Sequence, residues 1–194
     1  MWFGLVACVP IDRMPPPPRP AAPPPALAEP PPCERIWRIE VEKSERRLRA
    51  YCERGAVVEM TAAVGRANEG TKLLSGDQRT PEGEYRVSEP ARESRFHLFL
   101  PIDYPSRADA QWAYVEGRIS AGDYQRIAAA HDVGEHPPGD TPLGGEIGLH
   151  GEGERWQGDT EHLDWTMGCV ALTDADIAFL AEHSEVGTRV VIRP

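Results

Sequence analysis

The chain of 194 residues has only four cysteines, and no two of them have the Cys-x-x-Cys spacing of a zinc or redox site. No set of cysteines and histidines has a recognised zinc-ligand spacing either. A structural zinc site is therefore not expected. No other motif in the sequence requires a metal ion or an organic cofactor, and we predict that the protein uses none.

Positive charge and long apolar runs are also scarce. The 21 Lys and Arg residues are outnumbered by 31 Asp and Glu, which gives a formal net charge of -10. Because binding of nucleic-acid phosphates needs clustered Lys and Arg, we expect no nucleic-acid partner. Beyond the N-terminus, no apolar run approaches the roughly 18 residues of a membrane span.

Residues 1–8 form a short apolar segment without a preceding basic residue. The tetrapeptide from Leu5 to Cys8 resembles the lipobox of bacterial lipoprotein signals, in which the cysteine becomes the lipidated first residue. The segment is shorter than the apolar run and basic flank of a signal peptide. Either the start codon is set too late or Cys8 has no role. We favour a lipid anchor at Cys8 and a location in the periplasm or cell envelope.

A linker, residues 9–34, separates this segment from the rest of the chain and is rich in proline and alanine from Pro15 to Pro32. Proline has no N–H and a fixed φ, so the tract should adopt polyproline II. At ~3.1 Å per residue it would hold a domain roughly 50 Å from an anchor. It is either an unstructured tail or a spacer that reaches toward a cell wall.

Residues 35–194 have the pattern of a single mainly β domain with short helices. Serine and threonine N-caps predict helices that begin after Ser120 and after Thr173. Period-two alternation and apolar runs predict strands. These strands are a first hairpin from "IWRIEVE" to "RLRAYC", "AVVEMTAAVG", Tyr85–Val87, Phe96–Pro101, "GGEIGLH" and "TRVVIRP".

The first hairpin indicates where Cys33 and Cys52 lie relative to each other. Its alternation places Trp37, Ile39 and Val41 on one face, with Cys52 on the second strand as a small core residue. In this register Cys52 lies nearer Trp37 than Cys33. A Cys33–Cys52 disulfide is therefore not the favoured expectation.

Cys169 is different in kind, because it lies between Gly168 and an apolar run, downstream of His150. Only a few per cent of an ordinary thiol is thiolate at pH 7, so a nucleophilic cysteine needs a base. His150 is the candidate base, and the N–H groups of Gly168 and Cys169 are candidate oxyanion donors. An active thiol of this kind should be alkylated well below pH ~8.5. On spacing alone, a buried core thiol is the better interpretation.

Several segments in order resemble the catalytic domain of the L,D-transpeptidases, the YkuD family. "IGLHG" and "DWTMGCVALT" resemble the family signature, a His-Gly pair followed at a variable distance by Ser/Thr-x-Gly-Cys. The resemblance extends to "GDQRTPEGEY", "FHLFLPIDYPSRADA", "PPGDTPLGGEIGLHG" and "VGTRVVIRP", and it covers residues 36–194. It implies a β-sandwich with short peripheral helices.

The resemblance also implies roles for individual residues. Cys169 would be the nucleophile and His150 its base, oriented by the backbone carbonyl of Gly151. Gly168 and Cys169 would donate to the oxyanion, and Thr166 would shape the loop. Such enzymes attack the carbonyl between meso-diaminopimelate and D-alanine in a peptidoglycan stem, release D-alanine, and pass the acyl group to an amine or to water.

Two positions depart from the common family pattern, because Met167 and Ala171 stand where many members have histidine and arginine. That arginine is often assigned to a substrate carboxylate, so either another basic residue recognises the stem or the substrate differs. A family branch with Asp-Trp-Thr-x-Gly-Cys has alanine in this place, so activity is not excluded. We select Thr166, Trp165, Met167 and His97 as substrate-binding candidates, with loop packing for Trp165 and a strand role for His97 as the simpler interpretations.

The sequence thus predicts a cysteine-dependent L,D-transpeptidase that acts as a monomer on peptidoglycan stem peptides in cell-wall crosslinking or remodelling. A hydrolytic variant, such as an L,D-carboxypeptidase or an amidase, is one alternative. A catalytically silent wall-binding module is another. The intact pair of His150 and Cys169 favours an enzyme.

Overall fold

The computed structural model describes residues 33–153 and 164–194. The predicted lipobox and most of the predicted linker lie outside these ranges. The strands are β1 (Ile36–Glu42), β2 (Arg47–Cys52), β3 (Val57–Thr61), β4 (Gly83–Arg86), β5 (Arg92–Ser94), β6 (His97–Pro101), β7 (Gly148–His150), β8 (Val170–Ala171) and β9 (Arg189–Arg193). The helices are α1 (Arg107–Val115), α2 (Ala121–Val133) and α3 (Asp174–His183).

The strands form two sheets that share one apolar core. The first sheet has the order β3-β2-β1-β9-β4, and the second has the order β5-β6-β7-β8. The pairs β1/β9 and β7/β8 are parallel, and the other neighbours are antiparallel. Ile39 and Leu48 of the first sheet belong to the same buried cluster as Leu100 and Leu149 of the second. The predicted mainly β sandwich with short helices is confirmed.

Side-chain caps explain where the helices begin. The hydroxyl of Ser120 accepts a hydrogen bond from the third residue of α2, and the hydroxyl of Thr173 does the same for α3, as predicted. Helix α1 was not predicted, although Ser106 caps it in the same way. Helices α1 and α2 pack through a small second cluster of Ala110, Ala113, Ile119, Ile127 and Leu143. Within the described ranges, none of the helices has the length and apolarity to cross a membrane.

Two predictions for the first hairpin are wrong. The register shifts between Ile36 and Arg38, so Ile36 rather than Trp37 pairs with Cys52 and enters the core. Trp37 is 48% exposed. The shift brings the segment before β1 close to the end of β2, and Cys33 forms a disulfide with Cys52 across a Cα–Cα distance of 5.3 Å.

Candidate active site

Two short parallel strands bring His150 and Cys169 to the same face of the second sheet. His150 ends β7, and Cys169 immediately precedes β8. Leu149 pairs with Val170, and both are 1% exposed in the core. Because side chains alternate along a strand, the flanking His150 and Cys169 project to the opposite side. Both line one cavity of about 630 Å³.

The imidazole of His150 is buried and held in one tautomer. Its Nδ1 lies 2.7 Å from the carbonyl oxygen of Gly151, and because a carbonyl can only accept, Nδ1 carries the proton and Nε2 does not. Phe96 stacks on the ring at 4.6 Å, and the ring of Trp165 meets it edge-on at 5.5 Å. Burial lowers the pKa of His150, the hydrogen bond to Gly151 opposes this shift, and the charge of Arg95 adds to it. The ring is therefore neutral at pH 7 and can accept a proton at Nε2.

The first residue of α3 anchors the loop that follows His150. Oδ1 of Asp174 accepts hydrogen bonds from the N–H groups of Glu152 at 2.9 Å and Gly153 at 3.0 Å. A Cβ at Gly151 would overlap this oxygen and would lie 2.8 Å from the carbonyl oxygen of Phe96. Sequence analysis missed this role of Asp174, because an acidic residue in the first turn of a helix already has a sufficient explanation in the helix dipole.

The thiol of Cys169 is protonated in the resting site. Its Sγ donates a hydrogen bond to the carbonyl oxygen of Glu146 at 3.5 Å. Burial raises the pKa of Cys169 to about 11, and although a hydrogen bond with the Gly148 backbone and the charge of Lys72 lower it, they do not offset the burial. The raised pKa argues against alkylation of the ligand-free protein well below pH ~8.5. The resting pair consists of a neutral thiol and a neutral imidazole.

A single hydroxyl shapes the turn that precedes the thiol. Oγ1 of the buried Thr166 accepts a hydrogen bond from the N–H of Gly168 at 3.1 Å and donates one to the carbonyl oxygen of Cys169 at 2.7 Å. The N–H of Gly168 is thus already engaged. Of the two oxyanion donors predicted from the sequence, the N–H of Cys169 is the one that remains a candidate.

Only glycine fits at position 168. Its φ of +136° lies in a region that side chains disfavour, and a Cβ there would lie 2.7 Å from the carbonyl oxygen of Arg79. In the structure, the backbone that approaches it is the chain's own, at Arg79.

Asp164 fixes the other end of this loop. Its carboxylate forms a two-pronged ion pair with Arg46, at 2.7 Å to Nε and 2.5 Å to Nη2, and accepts a further hydrogen bond from Asn68 at 2.7 Å. The loop is also tied to the segment that follows β3, since the N–H of Thr166 donates to the carbonyl oxygen of Val64 at 3.2 Å. The segment that carries Cys169 is therefore held from two sides.

Of the four residues predicted to bind substrate, three line the cavity and one does not. Trp165, Thr166 and the 55% exposed Met167 line it. His97 does not line it, because this residue begins β6 at the end of the β5–β6 hairpin and is exposed there with a φ of +67°. Among the residues that the structure describes, no group of three or more His, Cys, Asp and Glu side chains could hold a metal ion.

Sequence analysis missed the other residues that line the cavity in the described part of the chain. The additional lining residues come from the β5–β6 hairpin and from two loops, and they are Arg66, Arg92, Ser94, Arg95, Phe96, Phe99 and Glu146. The basic and aromatic run "RESRF" was a signal that could have drawn attention to the hairpin. Ala171, at the position of the missing arginine, is fully buried and exchanges both backbone hydrogen bonds with Ala63.

Comparisons with known proteins agree with this fold. A family model described as the L,D-transpeptidase catalytic domain matches residues 36–192. The helical cell shape determining protein Pgp2 from Campylobacter jejuni is 19% identical with a TM-score of 0.56, and the match covers 82% of this chain and 47% of that chain. Bd1075 from Bdellovibrio bacteriovorus is 22% identical with a TM-score of 0.47, over 82% of this chain and 48% of that one.

A mutant L,D-transpeptidase from Enterococcus faecium is 14% identical with a TM-score of 0.48, over 81% of this chain and 50% of that one. The chain thus spans about half the length of these solved structures. No curated protein matches the sequence.

Proposed function

The chain belongs to the family of L,D-transpeptidase catalytic domains, and we propose that it is an active cysteine acyltransferase whose substrates are peptidoglycan stem peptides. The observation that carries this proposal is the tautomer of His150. With Nδ1–H donated to the carbonyl oxygen of Gly151, the lone pair of Nε2 is available in the cavity that also contains Cys169.

The chemistry follows from the neutral resting pair. When the stem binds, Nε2 of His150 takes the thiol proton, and Sγ of Cys169 attacks the carbonyl carbon of the L-centre before the terminal D-alanine. The N–H of Cys169 stabilises the tetrahedral oxyanion. Collapse of this intermediate breaks the C–N bond, and the imidazolium returns the proton to the amine of the departing D-alanine. A thioester on Cys169 remains.

The second half of the reaction releases the acyl group. An amine of another stem attacks the thioester carbonyl, transfers its proton to His150, and forms a new amide as the thiolate leaves and is reprotonated. The resulting activity would crosslink or remodel the cell wall. The fold is similar to that of Pgp2, a protein named for determining helical cell shape, and an effect on cell shape is part of the proposal.

Purified stem tetrapeptides test the proposed reaction. The full chain should release D-alanine and form a mass adduct on the peptide that carries Cys169, and an added amine should yield a crosslinked product. The matched control is Cys169→Ala, which should fold and release no D-alanine. Turnover that survives this substitution would remove Cys169 from the mechanism, and release of D-alanine without any crosslinked product would favour the hydrolytic variant.

We propose that the domain is monomeric and lies in the cell envelope. The Cys33–Cys52 disulfide supports it, because such bonds persist in oxidising compartments and are rare in the cytosol. A lipid anchor at Cys8, outside the described residues, would place the proline-rich linker between membrane and wall. Fractionation of cells that express the native gene should find the protein with the membranes and resistant to salt extraction. A cytosolic protein with unmodified Cys8 would contradict the anchor.

A further inference from the structure

The cavity around Cys169 is basic although the chain as a whole is acidic. Among the residues that the structure describes, its lining includes three arginines, Arg66, Arg92 and Arg95, and one acidic residue, Glu146. The chain carries a formal net charge of -10. A local excess of positive charge in a cleft of an acidic protein raises the local concentration of anionic ligands.

The three arginines differ in their partners. Arg92 is ion-paired with Glu146 at 2.8 Å and with Glu89 at 2.9 Å, and its guanidinium lies over the ring of Phe99. Its charge is therefore already balanced within the protein. We regard Arg92 as part of the cavity wall.

Arg66 and Arg95 have no acidic partner among the residues that the structure describes. Both side chains are exposed at the cavity. The guanidinium of Arg95 lies over the ring of Phe96 at 4.7 Å, which restricts its position without neutralising its charge. The guanidinium group stays protonated at any physiological pH and offers several N–H donors in a planar fork.

These two arginines are held by different parts of the site. Arg66 is attached to the loop that precedes Cys169, since its N–H donates to the carbonyl oxygen of Thr166 at 3.2 Å. Arg95 precedes Phe96, whose ring stacks on His150. Arg66 is therefore tied to the loop that precedes the nucleophile, and Arg95 lies over the ring that packs on the base.

We propose that Arg66 and Arg95 bind two carboxylates of an anionic peptide, one on each side of the bond that Cys169 attacks, and so select substrates with free carboxylates over amidated ones. The inference rests on the proposed function, whose substrate class it narrows. Position 171 is alanine and fully buried, so it supplies no cation to the cavity. The planar fork of arginine matches a carboxylate with two parallel hydrogen bonds, and an amide group removes both the charge and one acceptor.

The test compares variants and substrates in pairs. Arg66→Gln and Arg95→Gln are each assayed with a stem tetrapeptide and with two amidated forms, one at the terminal D-alanine carboxylate and one at the carboxylates before the scissile bond. Each variant should lower kcat/KM for the free tetrapeptide by roughly ten- to hundredfold, as expected for hydrogen bonds to charged groups. Each should also lose the preference against one of the two amidated forms.

The matched control removes an arginine outside the cavity. Arg107 is exposed in α1 and ion-paired with Asp132, so Arg107→Gln should keep the kcat/KM and the preference of the original protein. Equal rates of iodoacetamide labelling at Cys169 in all variants would establish that the site is still formed. Unchanged preference between free and amidated stems in both cavity variants would overturn the inference.

Binding separates failure of this inference from failure of the proposed function. Cys169→Ala protein is titrated with the same three peptides by calorimetry, alone and combined with each arginine variant. In one outcome, the original protein turns over no stem, but the Cys169→Ala protein binds the free tetrapeptide and binds it more weakly when Arg66→Gln or Arg95→Gln is added. The carboxylate site is then supported and the catalytic proposal is wrong. In the other outcome, stems are turned over but the arginine variants bind free and amidated peptides with the original preference. The carboxylate site is then wrong, and the proposed catalytic function is unaffected.

Discussion

Nδ1 of His150 lies 2.7 Å from the carbonyl oxygen of Gly151, the next residue in the chain. This hydrogen bond fixes the tautomer and leaves Nε2 as the only basic nitrogen of the ring. The loop that supplies the carbonyl is itself fixed by Asp174 at the start of α3. The base of the candidate site is therefore positioned by backbone and helix rather than by a third catalytic side chain.

Substitution of the base is the first prediction. His150→Gln should slow acylation of Cys169 by stem peptide by about 10²–10⁴-fold, the usual range for loss of a general base. Glutamine retains a hydrogen-bonding side chain of similar reach but accepts no proton near pH 7. Single-turnover acylation followed by mass spectrometry measures the effect. An unchanged rate would show that His150 is not the base.

The pH dependence of alkylation is the second prediction. The pKa of Cys169 is raised to about 11, so the thiolate fraction grows as pH rises and is still incomplete where an ordinary thiol is fully ionised. The rate of iodoacetamide labelling of the ligand-free protein should therefore keep rising above pH ~8.5. Glutathione, measured in parallel, is the control with an ordinary thiol. A plateau of the Cys169 rate below pH 8 would mean that a thiolate is present at rest.

The Thr166 hydroxyl supports a third prediction. Thr166→Val removes the acceptor of the Gly168 N–H and the donor to the Cys169 carbonyl in a buried turn. Leaving such a group unsatisfied costs about 1–3 kcal/mol, and the turn that holds the thiol should loosen. We expect a lower melting temperature and a clear fall in kcat.

Thr166→Ser is the matched control, because it keeps the hydroxyl and removes only the methyl group. It should retain most of the stability and activity. If the serine variant loses as much stability and activity as the valine variant, the turn is held by packing of the methyl group and not by the two hydrogen bonds.

The disulfide supports a fourth prediction. Cys33 and Cys52 are separated by 19 residues, and closing a loop of this size in the unfolded chain stabilises the folded state by about 3 kcal/mol. Cys33→Ser should lower the midpoint of denaturant unfolding accordingly. A reducing agent should shift the original protein to the same midpoint and leave the variant unchanged. Identical midpoints for the oxidised original and the variant would mean that the bond contributes nothing to stability.

The sequence determined the elements whose signals are local. The hydroxyls of Ser120 and Thr173 predict the starts of two helices, because an N-cap depends only on the N–H groups two or three residues later in the chain. Helix α1 has the same signal at Ser106, but its buried residues are only Ala110 and Ala113, too small to give a visible apolar stripe. The His-Gly and Gly-Cys pairs were also readable, and they pointed to the family that the domain match bears out.

Tertiary structure decided everything that depends on which distant segments meet. A bulge after Ile36 reversed the expectation for the Cys33–Cys52 bond, since one extra residue changes which side chains face each other. The parallel pairing of β7 with β8 is what gives His150 and Cys169 a common face.

The same holds for the chemical state of the site. Residue types alone suggested a reactive thiolate, but burial of the sulfur raises the pKa of Cys169 and burial of the ring lowers that of His150. Both shifts arise because removing a group from water disfavours its charged form. Exclusion of water depends on the packing of the whole site. Residues far apart in the chain, such as Phe96 and Trp165, contribute to it by packing on His150. The spacing between His150 and Cys169 in the sequence therefore does not predict these pKa shifts.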